Sequence, residues 1–376
     1  MSEERVRLRD LGVTIDWYPT GAHNAITDVA GVEVGHATVS WGDGSEPLGS
    51  GPARTGVTAI WPQRGADLIT NPVAAGFFAL SGTGEMTARS EIEELARINT
   101  PIVLTNTMSV GLAYDATCRY LARLDPELGN NHGVLIPVVA ECDDEYLNDV
   151  RGFHVTHAHV DNALDTATSG PVAEGCVGSG TGMICFGFKG GIGTSSRVLP
   201  EELGGWTVGV LTMTNFGRRR RLTFAGVPFG DHFPPPTRKP VEPAPSGDRV
   251  DGSCIVIVAT DAPLDGRQLA RLAKRASLGL GRTGSAGENG SGELLMAFST
   301  TYRPFQSSGT NVQTVIEGES VNDLFAATVD ATEEAVLNSL CMAETTTGRY
   351  GRVVEALPLD RTRELLAQYG RIKTGP

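Results

Sequence analysis

The chain has 376 residues, 40% hydrophobic and only 6% aromatic, with 31 basic against 44 acidic groups for a formal charge of −13. That length alone suggests two or three domains, although α/β sandwiches run this large as one unit, and the acidic balance disfavours nucleic acid and anionic membranes. No run approaches the length of a membrane span, and six dispersed cysteines with no CxxC pair read as reduced, mostly buried side chains.

The start, MSEERVRLRDLG, is charged and lacks the apolar core of a signal peptide, so a cytoplasmic protein is expected. Apolar β-like runs follow at Gly56–Pro62, Pro101–Thr107, Val134–Ala140, Met183–Phe188, Thr207–Thr214, Ser253–Thr260, Leu294–Ser299 and Val312–Ile316. Between them, HVTHAHVDN brings His154, His157, His159 and Asp161 together. The pattern H-x-H-x-D resembles half of a zinc-hydrolase site. Asn162 stands where the next histidine belongs, and only His232 remains downstream, so a polar strand or turn is the simpler reading. The glycine runs Gly178–Gly182 and Gly187–Gly193 suggest tight sheet turns; GFKGGIGTSS lacks the G-K-[ST] ending of a phosphate loop.

Two helices stand out. After Asp261 and Pro263, the residues Leu264, Leu269, Leu272, Ala273 and Ala276 form one stripe with Arg267, Arg271, Lys274 and Arg275 largely outside it. The second spans about Ser320 to Leu340, and a short amphipathic helix follows near Asp360 to Tyr369. Strand clusters flanked by such helices fit an α/β architecture of two sheets stacked between helical layers.

The segment 233–251 carries six prolines and no periodicity, so an exposed loop is expected. It runs into SCIVIVAT, apolar without alternation, which reads as a strand buried on both faces. A serine at the mouth of such a strand, preceded by glycine and slack chain, suits an autocatalytic acyl shift. Gly252 permits strained backbone beside the scissile bond, and cleavage frees an α-amine with a pKa just below ~8, able to take a proton from the Ser253 hydroxyl. An isolated Gly-Ser pair is by default only a loop-to-strand junction. Alternation along the strand points Cys254 away from the face of Ser253.

Over nearly its whole length the sequence resembles the serine aminopeptidases of the DmpA/BapA type, the L-aminopeptidase/D-amidase/esterases and β-peptidyl aminopeptidases. The resemblance is carried, in order, by ITDVAGVEVGH, GPARTGVTAIWP, LTNTMSVG, PVVAE, PVAEGCVGSGTGM, GFKGGIGTSSR, TNFG, the Ser253 strand with ATDAPL, and SGELLMAFST. It implies a single four-layer αββα sandwich over residues 1–376, self-cleaved between Gly252 and Ser253 into an α chain (1–252) and a β chain (253–376), with an N-terminal nucleophile mechanism. Ser253 falls on the nucleophile, Ser291 and Glu293 on its supporting serine and glutamate, Asn215 on the oxyanion donor and Glu141 on the residue that binds the substrate's free amine. Residues two apart on a strand share a face, which agrees with Ser291 and Glu293 serving one site while Leu294, Met296 and Phe298 pack behind. On the residues alone, Glu293 also reads as the solvated start of a strand and Asn215 as an ordinary turn.

The chain departs from the family pattern at Asp143, in an aromatic slot, at Met108, where histidine is frequent, and at Cys176, where asparagine is usual. The resemblance implies small peptide, amide or ester substrates with a free amine, no cofactor, and a homo-oligomer of αβ units. Two rival readings are an acyltransferase of the ornithine acetyltransferase kind on the same fold and a metal-dependent hydrolase using His154, His157 and His159; a non-catalytic binding protein is a third.

Overall fold

In a computed structural model that describes residues 4–15, 17–234, 252–304 and 312–372, strands and helices build a mixed α/β fold around two larger sheets. The strands of these sheets and of one short hairpin are β1 (Glu33–Trp41), β2 (Ala53–Trp61), β3 (Val73–Ala79), β4 (Arg97–Ile98), β5 (Ile102–Asn106), β6 (Val138–Cys142), β7 (Ile184–Cys185), β8 (Phe188–Lys189), β9 (Gly191–Val198), β10 (Thr207–Asn215), β11 (Ser253–Thr260) and β12 (Gly292–Ser299). The principal helices are α1 (Val110–Leu124), α2 (His157–Asp165), α3 (Gly266–Arg282), α4 (Val321–Met342) and α5 (Leu359–Gln368). One sheet has the order β1-β2-β5-β6 and the other β4-β3-β12-β11-β10-β9. Among the described residues no helix is long and apolar enough to cross a membrane.

All eight residues of β11 are buried, as its unbroken apolar run predicts. Its side chains divide between two cores. Ile255, Ile257 and Ala259 join Val57, Leu104 and Ala140 of the smaller sheet, whereas Cys254, Val256 and Val258 join Leu269 and Leu272 of α3 and Leu337 of α4. Burying one Val or Ile is worth about 1.5–3 kcal/mol, so this strand anchors both cores. Cys254 therefore faces the helices, away from Ser253. Close approach of helix to sheet depends on two glycines. A Cβ at Gly76 would lie 2.1 Å from the Ala270 amide of α3, and one at Gly193 would lie 1.9 Å from the Ala335 carbonyl of α4.

The two parallel pairs, β5–β6 and β11–β12, are each bridged by a helix, because parallel strands require a long crossover. Helix α3 begins at Gly266 behind a reciprocal cap: the Gln268 amide donates to Asp265 Oδ1 at 2.7 Å, and the Asp265 amide donates to Gln268 Oε1 at 3.0 Å.

Several expectations change. Residues Met183–Phe188 form the hairpin β7–β8, since Phe186 and Gly187 both take positive φ (50° and 71°) and turn the chain. β6 begins only at Val138, and Val134, 85% exposed, precedes it in irregular chain. Val312–Ile316 is not a strand; the Ile316 amide donates to the Pro263 carbonyl, holding this segment beside the start of α3. The histidine motif sits at helix α2, where Thr156 is the N-cap. Of the Pro-rich loop expected at 233–251, residues 235–251 lie outside the described residues.

Candidate active site

The ends of β10, β11 and β12 meet at the Gly252–Ser253 junction. Ser253 opens β11 with Asn215, the last residue of β10, opposite it on one side and Gly292, the first residue of β12, opposite it on the other. The Gly292 amide donates to the Gly252 carbonyl at 2.9 Å, so the carbonyl expected to be attacked is already held by a ladder hydrogen bond. Ser253 is 4% exposed, yet its hydroxyl has no hydrogen-bond partner among the described residues. The Cys142 thiol lies beside it, and burial holds that thiol well above the ordinary range, so it is a neutral neighbour and not a base.

Ser291 and Glu293 meet as the two-residue period predicts: Ser291 Oγ donates to Glu293 Oε1 at 2.5 Å. Register adds a finer point. Glu293 pairs with Cys254, and Leu295 and Ala297 pack on the helical side while Leu294, Met296 and Phe298 face the other sheet. The Ser291–Glu293 pair therefore reaches the junction from the backbone side, where an amine would emerge, and Ser253 Oγ faces the opposite way. A cavity of about 10 Å³, on the scale of one water, is lined there by Gly252, Ser291, Glu293, Arg218 and Glu288. Burial raises the pKa of Glu293, partly offset by the Ser291 hydroxyl and the nearby Ser81 hydroxyl. Its Oε2 has no partner among the described residues.

Glu141 comes from the other sheet, one residue before the end of β6. Oε1 accepts the Glu85 amide at 2.9 Å, and Oε2 accepts the Thr107 hydroxyl. Burial raises its pKa against those two hydrogen bonds, so the site gains from a cation arriving beside it. Between Glu141 and β12 lies the turn Ser81–Glu85. A Cβ at Gly84 would stand 3.1 Å from Glu141 Oε1 and 3.6 Å from Gly292 Cα, so glycine lets the turn fit between them. Sequence reasoning passed over Ser81, Gly84 and Thr107; the alternating glycines of SGTGE were the available signal.

Asn215 is not a turn residue. Its Oδ1 accepts the Ile184 amide at 2.8 Å and its Nδ2 donates to the Asp143 carbonyl at 2.7 Å, which leaves one N–H of the side chain for another acceptor. Asp143 thus contributes its backbone at the site, and its carboxylate accepts the Glu145 amide at 2.9 Å in an exposed turn. Met108 follows Thr107 and is 52% exposed at the same strand ends. Cys176 is drawn elsewhere, accepting the Glu344 amide at 3.2 Å.

The histidines are dispersed. His154 packs edge-on against Trp41, His157 pairs with Asp115 at 2.7 Å, His159 accepts the Thr156 amide, and Asp161 pairs with Arg123. Among the described residues no three His, Cys, Asp or Glu side chains are grouped to hold a metal ion. His157 and His159 lie in α2 and His154 precedes it in irregular chain, and each turns toward a separate partner, so the geometry does not support the metal-hydrolase reading.

The chain is 47% identical over 380 residues to the β-peptidyl aminopeptidase BapA of Sphingosinicella microcystinivorans, covering 99% of this chain and 94% of that one. Its structure superposes on a Burkholderia β-aminopeptidase with a TM-score of 0.85 at 40% identity, covering 99% and 100% of the two chains. It superposes on the L-aminopeptidase D-Ala-esterase/amidase of Ochrobactrum anthropi, described as a prototype of the serine aminopeptidases and a variant of the Ntn-hydrolase fold, with a TM-score of 0.86 at 41% identity over 98% and 99%. The model of peptidase family S58 matches residues 24–354, and the chain belongs to that family.

Proposed function

We propose that this peptidase is a self-processing serine aminopeptidase that removes N-terminal residues from peptides, amides or esters through an acyl-enzyme on Ser253. The observation that carries the reading is the junction itself: an unpartnered, buried Ser253 hydroxyl beside a Gly252 carbonyl already held by the Gly292 amide. Ser253 Oγ attacks that carbonyl, the C–N bond breaks, and an ester forms as the amine is released. Water then hydrolyses the ester, leaving a Gly252 carboxylate and a free Ser253 hydroxyl and α-amine. The cut divides one domain into an α chain, 1–252, and a β chain, 253–376. Helices on the outer faces of two sheets that share an apolar core support reading the packing as αββα.

In turnover Glu141 pairs with the substrate ammonium, which rejects acylated N-termini that would leave the carboxylate buried and unpaired. The Ser253 amine takes the proton from its own hydroxyl, and Ser291 with Glu293 holds the ammonium that results. The remaining Asn215 N–H donates to the tetrahedral oxyanion, and the amine returns its proton to the leaving group. Ser253→Ala is expected to give one uncut polypeptide by intact mass and no release of p-nitroaniline from aminoacyl-p-nitroanilides. Turnover by an uncut chain sinks the reading.

A further inference from the structure

Lys189 is wholly buried, and its ammonium forms no salt bridge among the described residues. It donates instead to three main-chain carbonyls, Gly180 at 3.1 Å, Met183 at 2.8 Å and Gly190 at 2.8 Å, which uses all three of its hydrogens. Burial pulls it below the ordinary lysine range. Removing an ammonium from water is costly, and an apolar side chain of similar volume would avoid that cost. No step described above uses this charge.

The Met183 carbonyl leads to the site. The same peptide unit carries the Ile184 N–H, which donates to Asn215 Oδ1 at 2.8 Å. A donor facing Oδ1 and a carbonyl facing Nδ2 fix the orientation of the Asn215 amide without ambiguity. A cation, a peptide plane and a side-chain amide therefore stand in series. In a low-dielectric interior each hydrogen bond in such a chain polarises the next. The β7–β8 hairpin holds the cation beside the peptide plane, because Lys189 is the ladder partner of Ile184.

We propose that Lys189 is a positioning residue whose ammonium, acting through the Met183–Ile184 peptide and Asn215 Oδ1, makes the free Asn215 N–H a stronger donor to the tetrahedral oxyanion. The proposal rests on Asn215 being the oxyanion donor. A double-mutant cycle with Lys189→Met and Asn215→Ala, read as kcat and KM on an aminoacyl-p-nitroanilide and normalised to the processed fraction, tests it. Removing the donor outright should cost about 10²- to 10³-fold in kcat. Lys189→Met in the parent should cost about tenfold, with KM within about twofold, because the donor is weakened and not lost. In the Asn215→Ala background it should cost nothing further. An equal loss in both backgrounds, or a loss confined to KM, overturns the relay. Undiminished kcat in Asn215→Ala overturns the oxyanion reading instead, so the two failures are told apart. If Lys189→Met does not fold, isoleucine-labelled parent enzyme supplies the answer by NMR. The Ile184 amide proton should lie downfield of those of Ile255 and Ile257 in β11, and an unshifted resonance overturns the relay.

Discussion

Glu334 in α4 accepts from Arg9 at 2.8 and 3.0 Å, Asn24 at 2.5 Å and Arg197 at 2.7 Å, whereas Glu293 accepts from Ser291 at 2.5 Å and keeps Oε2 without a partner among the described residues. Both are buried glutamates. Burial raises the pKa of each, but at Glu334 the charges of Arg197 and Arg9 outweigh it and the net displacement is downward. At Glu293 only neutral hydrogen-bond donors, the Ser291 and Ser81 hydroxyls and a backbone amide, oppose burial, and the displacement is upward. One carboxylate is saturated and ties the N-terminal segment to β9 and α4. The other retains unused acceptor capacity, which suits the working role proposed for it above.

Breaking the saturated side should have the larger effect on the molecule. Glu334→Ala leaves Arg197 buried with its counter-charge gone, and the expected loss is about 3–5 kcal/mol of stability, read as a lowered denaturant midpoint. The activity of the molecules that remain folded should stay near that of the parent. A loss of kcat without loss of stability would erase the distinction. On the side of the candidate active site, Glu141→Gln should leave the midpoint almost unmoved and raise KM for substrates with a free amine about 10- to 100-fold, since a hydrogen bond to a charged group is worth about 1.5–3 kcal/mol. Unchanged KM would show that the substrate amine is held elsewhere.

The smallest effect is in the pH dependence of stability, where the two sides should have opposite signs. The folded pKa of Glu334 lies below its unfolded value, so its contribution is full above about 4.3 and is lost as pH falls through the folded pKa. The folded pKa of Glu293 lies above, so its contribution is full below about 4.3 and is lost as pH rises through the folded pKa. In the uncut Ser253→Ala background, where no ammonium has formed beside Glu293, Glu334→Gln should therefore flatten the acid limb of a stability profile, and Glu293→Gln should raise stability at neutral pH relative to that background. Equal slopes in the two variants would contradict the comparison.

The same contrast explains what could be read from residues alone. β11 was legible because its burial is written in consecutive apolar residues, and the Ser291–Glu293 pair because a two-residue period suffices to align it. β9 was not, since Thr194, Ser195, Ser196 and Arg197 are polar yet buried. Their partners lie far away in sequence: Ser195 donates to the Ala331 carbonyl, Ser196 to Asp28 and Arg197 to Glu334. A local pattern cannot announce a partner more than a hundred residues away. The Ser81–Glu85 turn and the Lys189 relay escaped for the same reason, because each acquires its meaning only where Glu141 and Asn215 reach it through space. Glu141, Asn215 and Ser253 were found through resemblance; geometry then supplied the side from which each approaches.

The larger sheet interleaves its strands across residue 252: β3, β4, β9 and β10 precede it, while β11 and β12 follow and lie between β3 and β10. A break at that residue would leave two polypeptides woven like the fingers of clasped hands. Neither could depart without dissolving the six-stranded sheet and both cores attached to it. The fold would thus make one irreversible cut compatible with an unchanged body, and strand order would secure the permanence of the pair that resulted.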